Sequence, residues 1–466
     1  MAWQQLRRRS LAGGMSFILL AASSVAVAAD WPQFRGVNGS GISSDAKPLP
    51  LHWSETSNLQ WKLDLPGPGL SSPIVVGDRV FVTCWSGYGT SREELGDLDK
   101  LKRHLLCIDR KSGKTIWDKS VPAVMPEDEY RGMFAEHGYA SHTPVSDGQR
   151  VYAFFGKSGV HAFDTDGNLL WSKNVGEDSD PRGWGTSSSL ILYKDKLIVT
   201  ASIESRTIFA FDKLSGNEVW RQQADGLDST WGTPILVDLP DGGAELVLAV
   251  PYEVWGINPD TGKLRWYCKG ADSDSFCSSA ITHDGVVYTV EGRGSGALAV
   301  RAGGKGDVSD TNVLWNVNDR GRISSPIWHE GRIYWISGKV ARCLDGKTGE
   351  RVYQARLKSS EAPDAAEEPV AEPVGRSRGG FGGGRGGRGG RMGGQDYSSP
   401  VVQGNRMYYV TRAGEMYVLE LGPEFKQLAV NRFANDDTDF NATPAISDGQ
   451  LFIRSAKTLY CVSAAP

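Results

Sequence analysis

The 466-residue chain has no internal run of apolar residues long enough to cross a bilayer as a helix. Its six cysteines stand singly, with no Cys-x-x-Cys, no haem-attachment Cys-x-x-Cys-His and no adjacent pair. There is no Gly-x-Ser-x-Gly turn to present a nucleophile and no phosphate-cradling loop. The Gly-x-Gly-x-x-Gly matches inside 379–394 are by-products of local glycine content. These absences exclude a c-type haem domain, a thioredoxin-like centre, a P-loop NTPase and an α/β-hydrolase.

Residues 1–29 have the layout of a secretory signal peptide: Arg7-Arg8-Arg9, an uncharged stretch over 11–27, and small residues at Ala26-Val27-Ala28 for cleavage. An uncleaved anchor is the alternative, against which Gly13-Gly14 and Ser23-Ser24 interrupt the stretch. No cysteine stands near the cleavage site to carry a lipid, and Arg8-Arg9-Ser10-Leu11 matches a twin-arginine signal only faintly. Cleavage removes three arginines and no acid, leaving 48 basic and 55 acidic residues, a net charge of −7. The expectation is a periplasmic or secreted monomer that does not bind nucleic acid.

Glycine and aromatic residues are plentiful, with 57 Gly and 15 each of Trp, Tyr and Phe, as in a turn-rich β protein. The aromatics recur at one offset. Asp109-Arg-Lys-Ser-Gly113 is followed four residues after its glycine by Trp117, and Asp212…Gly216 leads likewise to Trp220. Asn258…Gly262 leads to Trp266, Asp345…Gly349 to Tyr353, and the shorter Asp164…Gly167 to Trp171. The Asp or Asn side chain accepts backbone N–H groups within a turn and glycine supplies positive φ. The aromatic then falls on a fixed face of the next strand, where it can bury against a neighbouring unit.

A second signature marks eight starts: Ser72-Pro73, Thr143-Pro144, Ser188-Ser189, Thr233-Pro234, Ser279-Ala280, Ser325-Pro326, Ser399-Pro400 and Thr443-Pro444. They are spaced 71, 45, 45, 46, 46, 74 and 44 residues, and short β-branched hairpins follow them. A period near 45 with four strands per unit (A to D, the aromatic on D) predicts an all-β, eight-bladed propeller of antiparallel blades. Eight starts speak against seven or nine blades. The last unit lacks its own D strand, and the run Leu59-Gln-Trp61-Lys-Leu63 precedes the first A. That orphan is expected to close the ring, giving a lead-in over 30–58 and a propeller over 59–462.

These repeats resemble the pyrroloquinoline-quinone (PQQ)-like propeller family, whose docking motif reads Ala-x-Asp-x-x-Thr-Gly-Lys-x-x-Trp. The lead-in Trp31-Pro-Gln-Phe-Arg-Gly36 and the phrase Ser71-Ser-Pro-Ile-Val-Val-Gly-Asp-Arg-Val-Phe81 look like exported bacterial members. The family holds both PQQ-dependent alcohol dehydrogenases and the outer-membrane assembly factor BamB, so the resemblance implies a fold without choosing a function. The dehydrogenases typically carry an adjacent Cys-Cys disulfide beside the quinone, and this chain has none.

Strand direction alternates within a blade, so B–C loops and D-to-A connections share one face, and A–B and C–D turns the other. Three long excursions, 84–104, 118–140 and 354–396, all fall on the first face, which is therefore the expected functional face. Within the third, 360–374 holds five acids and no base, and 375–394 holds five Arg and twelve Gly. The insert over 359–396 is expected to be disordered, a loop whose halves attract; an Arg-Gly-Gly nucleic-acid segment is the sharper alternative.

Two sets of candidate ligand residues follow. The B–C tips carry Lys157, Glu204 with Arg206, Glu253, Arg293, Lys339, Arg412 and Lys457, a ring of bases for an anion or ordinary solvated charge. Just before the A strands, His142, Trp184, Trp231, Phe276, Arg322, Tyr397 and Phe440 should surround the channel mouth, to stack on a planar acid such as PQQ or to pack between blades. The cofactor-binding candidates are thus His142, Trp184, Trp231, Arg293, Arg322, Lys339 and Arg412. Glu136, His137 and His142 are the one dense acid/His cluster, too irregular for a metal site. Cys107, Cys343 and Cys461 take the small position that Ala162 and Ala210 hold elsewhere, and Cys268 and Cys277 flank one blade junction where they could pair.

The resulting reading is a non-catalytic binding or scaffold module of the cell envelope, BamB-like, with no catalytic residue and no metal site, meeting a protein or small anionic ligand on the insertion-bearing face. The alternative is a PQQ-dependent dehydrogenase with the quinone in the central channel and Ca²⁺ as electrophile.

Overall fold

The computed structural model describes residues 30–291, 296–359 and 395–464. They form eight blades of four antiparallel strands around a central channel, two of them widened by a short parallel strand, the eight-bladed propeller that the repeat predicts. Blade 1 runs Ile74–Val76, Arg79–Ser86, Lys102–Asp109 and Thr115–Pro122, from the inner strand A to the outer strand D. The A strands of blades 2 to 7 are Val145–Ser146, Ile191–Tyr193, Ile235–Asp238, Ile281–His283, Ile327–His329 and Val401–Gln403. Blade 8 begins at Ala445–Ser447 and takes its outer strand from Leu59–Asp64, with Trp61 opposite Cys461. N-terminal and C-terminal strands thus share one sheet, and the ring has no open seam. No helix among the described residues is long and apolar enough to cross a membrane.

Each A strand starts two residues after its Ser/Thr mark, because those residues close the ring in a second way. Ser72 N–H donates to Thr143 Oγ1 at 3.0 Å, Thr143 to Ser189, Ser189 to Thr233, Thr233 to Ser279, Ser279 to Ser325, Ser325 to Ser399, Ser399 to Thr443, and Thr443 back to Ser72. All eight are between 2.9 and 3.1 Å. A short hydroxyl side chain is the one type that reaches a neighbouring backbone at this radius and still leaves an O–H to donate.

The outer aromatics join blades at larger radius. Trp220 Nε1 donates to the Pro259 carbonyl of the next blade at 3.0 Å, and its ring covers Gly262. Trp61, Trp117 and Trp171 dock in the same way on Arg110, Thr165 and Lys213 carbonyls. The turn glycine is needed twice over. At Gly262 φ is +73°, and a Cβ there would lie 2.4 Å from the Trp220 ring. Within its own blade each aromatic faces a small strand-C residue across a register shift: Cys107 with Trp117, Ala162 with Trp171, Ala210 with Trp220, Cys343 with Tyr353 and Cys461 with Trp61. The cysteines are there for size. None of the six forms a disulfide, and Cys268 and Cys277, which could have paired, stand apart: Cys268 is buried in its blade and Cys277 lines the channel.

The lead-in crosses the end of the channel that carries the A–B turns. Trp31 exchanges two backbone bonds with Val75 of blade 1, Asn38 donates to the Leu236 carbonyl of blade 4, and Ile42–Ser43 adds a parallel strand to blade 7. Arg35 is fully buried between them and donates to the Pro326 carbonyl of blade 6. The connections 87–101 and 123–144 lie on the opposite face, as the strand parity requires. The expected signal peptide and the low-complexity insert at 360–394 lie outside the described residues.

Candidate binding cavity in the channel

A cavity of about 940 Å³, its mouth included, occupies the channel on the insertion-bearing side. Its wall is the hydroxyl ring, all eight of Ser72, Thr143, Ser189, Thr233, Ser279, Ser325, Ser399 and Thr443. Each of these oxygens accepts a backbone N–H, and among the described residues none of their eight hydrogens has an acceptor. Eight O–H donors therefore converge on one space. Phe34 of the lead-in reaches the wall from the far side, and Met133, His137 and Ser141 from the 123–144 excursion.

Above the ring stand the residues that precede the A strands. Trp184 and Trp231 lie 5.0 Å apart at 33°, and Trp231 is fixed by its Nε1 on the Gly185 carbonyl at 2.7 Å. The Arg322 guanidinium sits 5.8 Å from the Trp184 ring, and Arg182, paired with Asp274, sits 5.5 Å from it. Arg322 lines the cavity, and no carboxylate of the described residues lies within ion-pair distance of it. Its placement is strained. Ile323 has φ +67°, rare for a β-branched residue, and Ser324 N–H bonds the Arg322 carbonyl at 2.8 Å, closing a three-residue turn. Tyr397 packs edge-on against His137 at 4.8 Å, and burial holds the His137 imidazole down at about 4, so it stays neutral. Among the described residues the wall contains no Asp or Glu.

Of the sequence candidates, Trp184, Trp231 and Arg322 come together here, with Tyr397 beside them. His142 does not reach the cavity: it is buried behind the wall against Phe154 and bonded to Thr186, its imidazole held near 3 by desolvation. Phe276 and Phe440 are buried between elements. Lys339 pairs with Glu415, and Arg412 with Glu136 and with Asp439 at 2.8 Å, so neither stands as an unpaired loop base. Lys157 is likewise paired, with Asp128. Arg293 lies outside the described residues. Glu136, His137 and His142 point to three different places, and no group of three metal-ligating side chains forms among the described residues. The hydroxyl ring went unread as a ligand surface because each member also punctuates a strand.

The family model described as outer membrane protein assembly factor BamB matches residues 98–224 and 204–466. No curated protein matches the chain. Among solved structures, BamB from Moraxella catarrhalis superposes with a TM-score of 0.55 at 12% identity, covering 87% of this chain and 99% of that one. A europium-containing methanol dehydrogenase gives 0.57 at 12%, covering 93% and 89%. The quinohemoprotein alcohol dehydrogenase from Comamonas testosteroni gives 0.57 at 12%, covering 94% and 81%. At such identities the likeness is one of fold.

Proposed function

The chain belongs to the BamB family of PQQ-like propellers, and from that premise we propose that it is a non-catalytic binding module of the cell envelope that takes a small anionic ligand into its channel. The observation that carries this reading is the cavity wall: eight converging hydroxyl donors, two tryptophan faces and, among the described residues, one arginine without a carboxylate partner and no acid. Hydroxyl hydrogens and a guanidinium both seek acceptor oxygens, so a carboxylate, phosphate or sulfate group is the complementary ligand. The tryptophans add a surface for an attached flat or apolar body. The strain at Ile323 supports a functional placement of Arg322, since a turn of that kind persists where the surrounding structure holds it.

A quinone with calcium suits this wall poorly. Calcium takes 6–8 oxygen ligands, carboxylates prominent among them, and the described wall has no carboxylate. It also has no carboxylate to serve as a base for alcohol oxidation, and His137 is buried and neutral. Calorimetric titration with citrate, phosphate, sulfate and PQQ, with and without calcium, tests the proposal alongside dye-linked turnover of primary alcohols. Calcium-independent anion binding without turnover supports it. Calcium-dependent quinone binding with turnover would replace it with a dehydrogenase.

A further inference from the structure

A second pocket abuts the channel cavity beneath the 123–144 excursion, sharing Ser141 with it. Most of its charges are matched. Buried Arg103 donates to Glu127, to the Tyr139 carbonyl at 3.2 Å and to Ser158 at 2.9 Å. Lys157 lies 3.3 Å from Asp128 and 2.7 Å from Ser179. Asp178 is exposed at the rim. Glu204, on the B–C turn of blade 3, is the exception. It lines the pocket at 2% exposure, and neither carboxyl oxygen has a hydrogen-bond partner among the described residues.

The reason lies in its neighbours. The Phe154 carbonyl holds one N–H of the His142 ring, and the other nitrogen, Nε2, lies 3.1 Å from Thr186 Oγ1. In the neutral ring Nε2 is an acceptor, so the single hydrogen of Thr186 goes to His142 and not to the adjacent Glu204. On the other side stands Gly156, where a Cβ would lie 3.3 Å from Glu204 Oε1. A buried carboxyl left in this way is costly until a donor arrives.

We propose that this pocket binds an ammonium head group, with the Glu204 carboxylate accepting its N–H donors. Size decides the class of cation. The pocket has about 380 Å³, its mouth included, against about 940 Å³ for the channel cavity, and a compact ammonium fits beside Glu204 more readily than a planar guanidinium. Burial pushes the Glu204 carboxyl up to about 7, so ammonium and proton compete for it. The facing groups are the Arg103–Glu127 and Lys157–Asp128 pairs, neutral His142 and rim Asp178. The site is separate from the anion cavity, so either reading stands or falls alone.

The test is calorimetric titration of the full chain at pH 8 with ammonium chloride, methylammonium chloride and Nα-acetyl-lysine amide, with sodium and potassium chloride as references. Saturable binding of at least one amine is expected, lost in Glu204→Gln, unchanged in Arg322→Ser, and weakening about tenfold per pH unit below 7. Binding that includes the lysine amide assigns the site to a partner's lysine; binding limited to the two smaller cations assigns it to a free amine. Equal binding by Glu204→Gln overturns the proposal. So does a potassium response equal to ammonium, or no amine signal above the sodium reference, the result for a void that holds only water.

Discussion

Replacing Gly262 with alanine separates the two demands that the blade-docking turn places on its glycine. The residue sits at φ +73°, and the added methyl would lie 2.4 Å from one Trp220 ring carbon and 2.8 Å from another. A left-handed alanine costs about 1–2 kcal/mol. Displacing a ring that is 8% exposed adds roughly 1–3 kcal/mol of overpacking, and withdrawing its Nε1 from Pro259 adds about 1 kcal/mol. The total is about 3–6 kcal/mol. Gly285 provides the control, because it has φ +72° and nothing within 4 Å of its absent Cβ, so Gly285→Ala should cost only about 1–2 kcal/mol. Urea unfolding followed by far-ultraviolet circular dichroism measures both. In a Trp220→Ala background the cost of Gly262→Ala should fall to that of the control. Equal costs for the two glycines, or strict additivity with Trp220→Ala, would refute the docking account.

Ser279→Ala removes the oxygen that accepts Thr233 N–H at 2.9 Å, and a stranded buried donor should cost about 1–3 kcal/mol; Ser279→Thr keeps the acceptor and should restore most of it in the same unfolding assay. The Glu204 carboxyl holds its proton to about 7 in the fold against about 4.5 unfolded, so the folded chain binds the extra proton between those values. That contribution is complete below pH 4.5 and is lost as pH rises through 7, an effect of up to about 3 kcal/mol. Melting curves from pH 5 to 8 should therefore show the wild type losing stability relative to Glu204→Gln, and parallel profiles would contradict the burial of that carboxyl.

The blades were legible because their determinants are local. A Ser/Thr mark two residues before strand A, a turn glycine and an aromatic four residues later all lie within one repeat. Trp315 escaped notice where locality fails: it docks on the Gly346 carbonyl like its counterparts, yet its C–D connection carries the extra strand Gly306–Asp307 and breaks the offset. Trp117 carries the signature and is still only half-buried. In blade 7 Ala429 stands at the position that the docking aromatic takes in other blades, and the lead-in's Trp53 packs on Tyr408 of that blade. Trp184, Trp231 and Arg322 could be placed at the mouth because strand parity puts the residues before each A strand there. The loop bases could not be judged, since their partners are remote in sequence: Lys339 meets Glu415, and Arg412 meets Glu136. His142 shows the same limit, turned away from the channel by Thr186 and Phe154 of other elements.

The central claim is that the channel cavity recognises an anion through Arg322 and the hydroxyl ring, without the loop bases. Calorimetric titration of citrate at low salt, into the wild type, Arg322→Ser and the double variant Lys339→Ser/Arg412→Ser, tests it directly. A charge-assisted hydrogen bond contributes roughly 1.5–3 kcal/mol, so Arg322→Ser should weaken binding by about ten- to a hundredfold. The double variant should bind like the wild type, because both bases are engaged by Glu415, Glu136 and Asp439. Unchanged affinity in Arg322→Ser, or an equal loss in the double variant, would contradict the account.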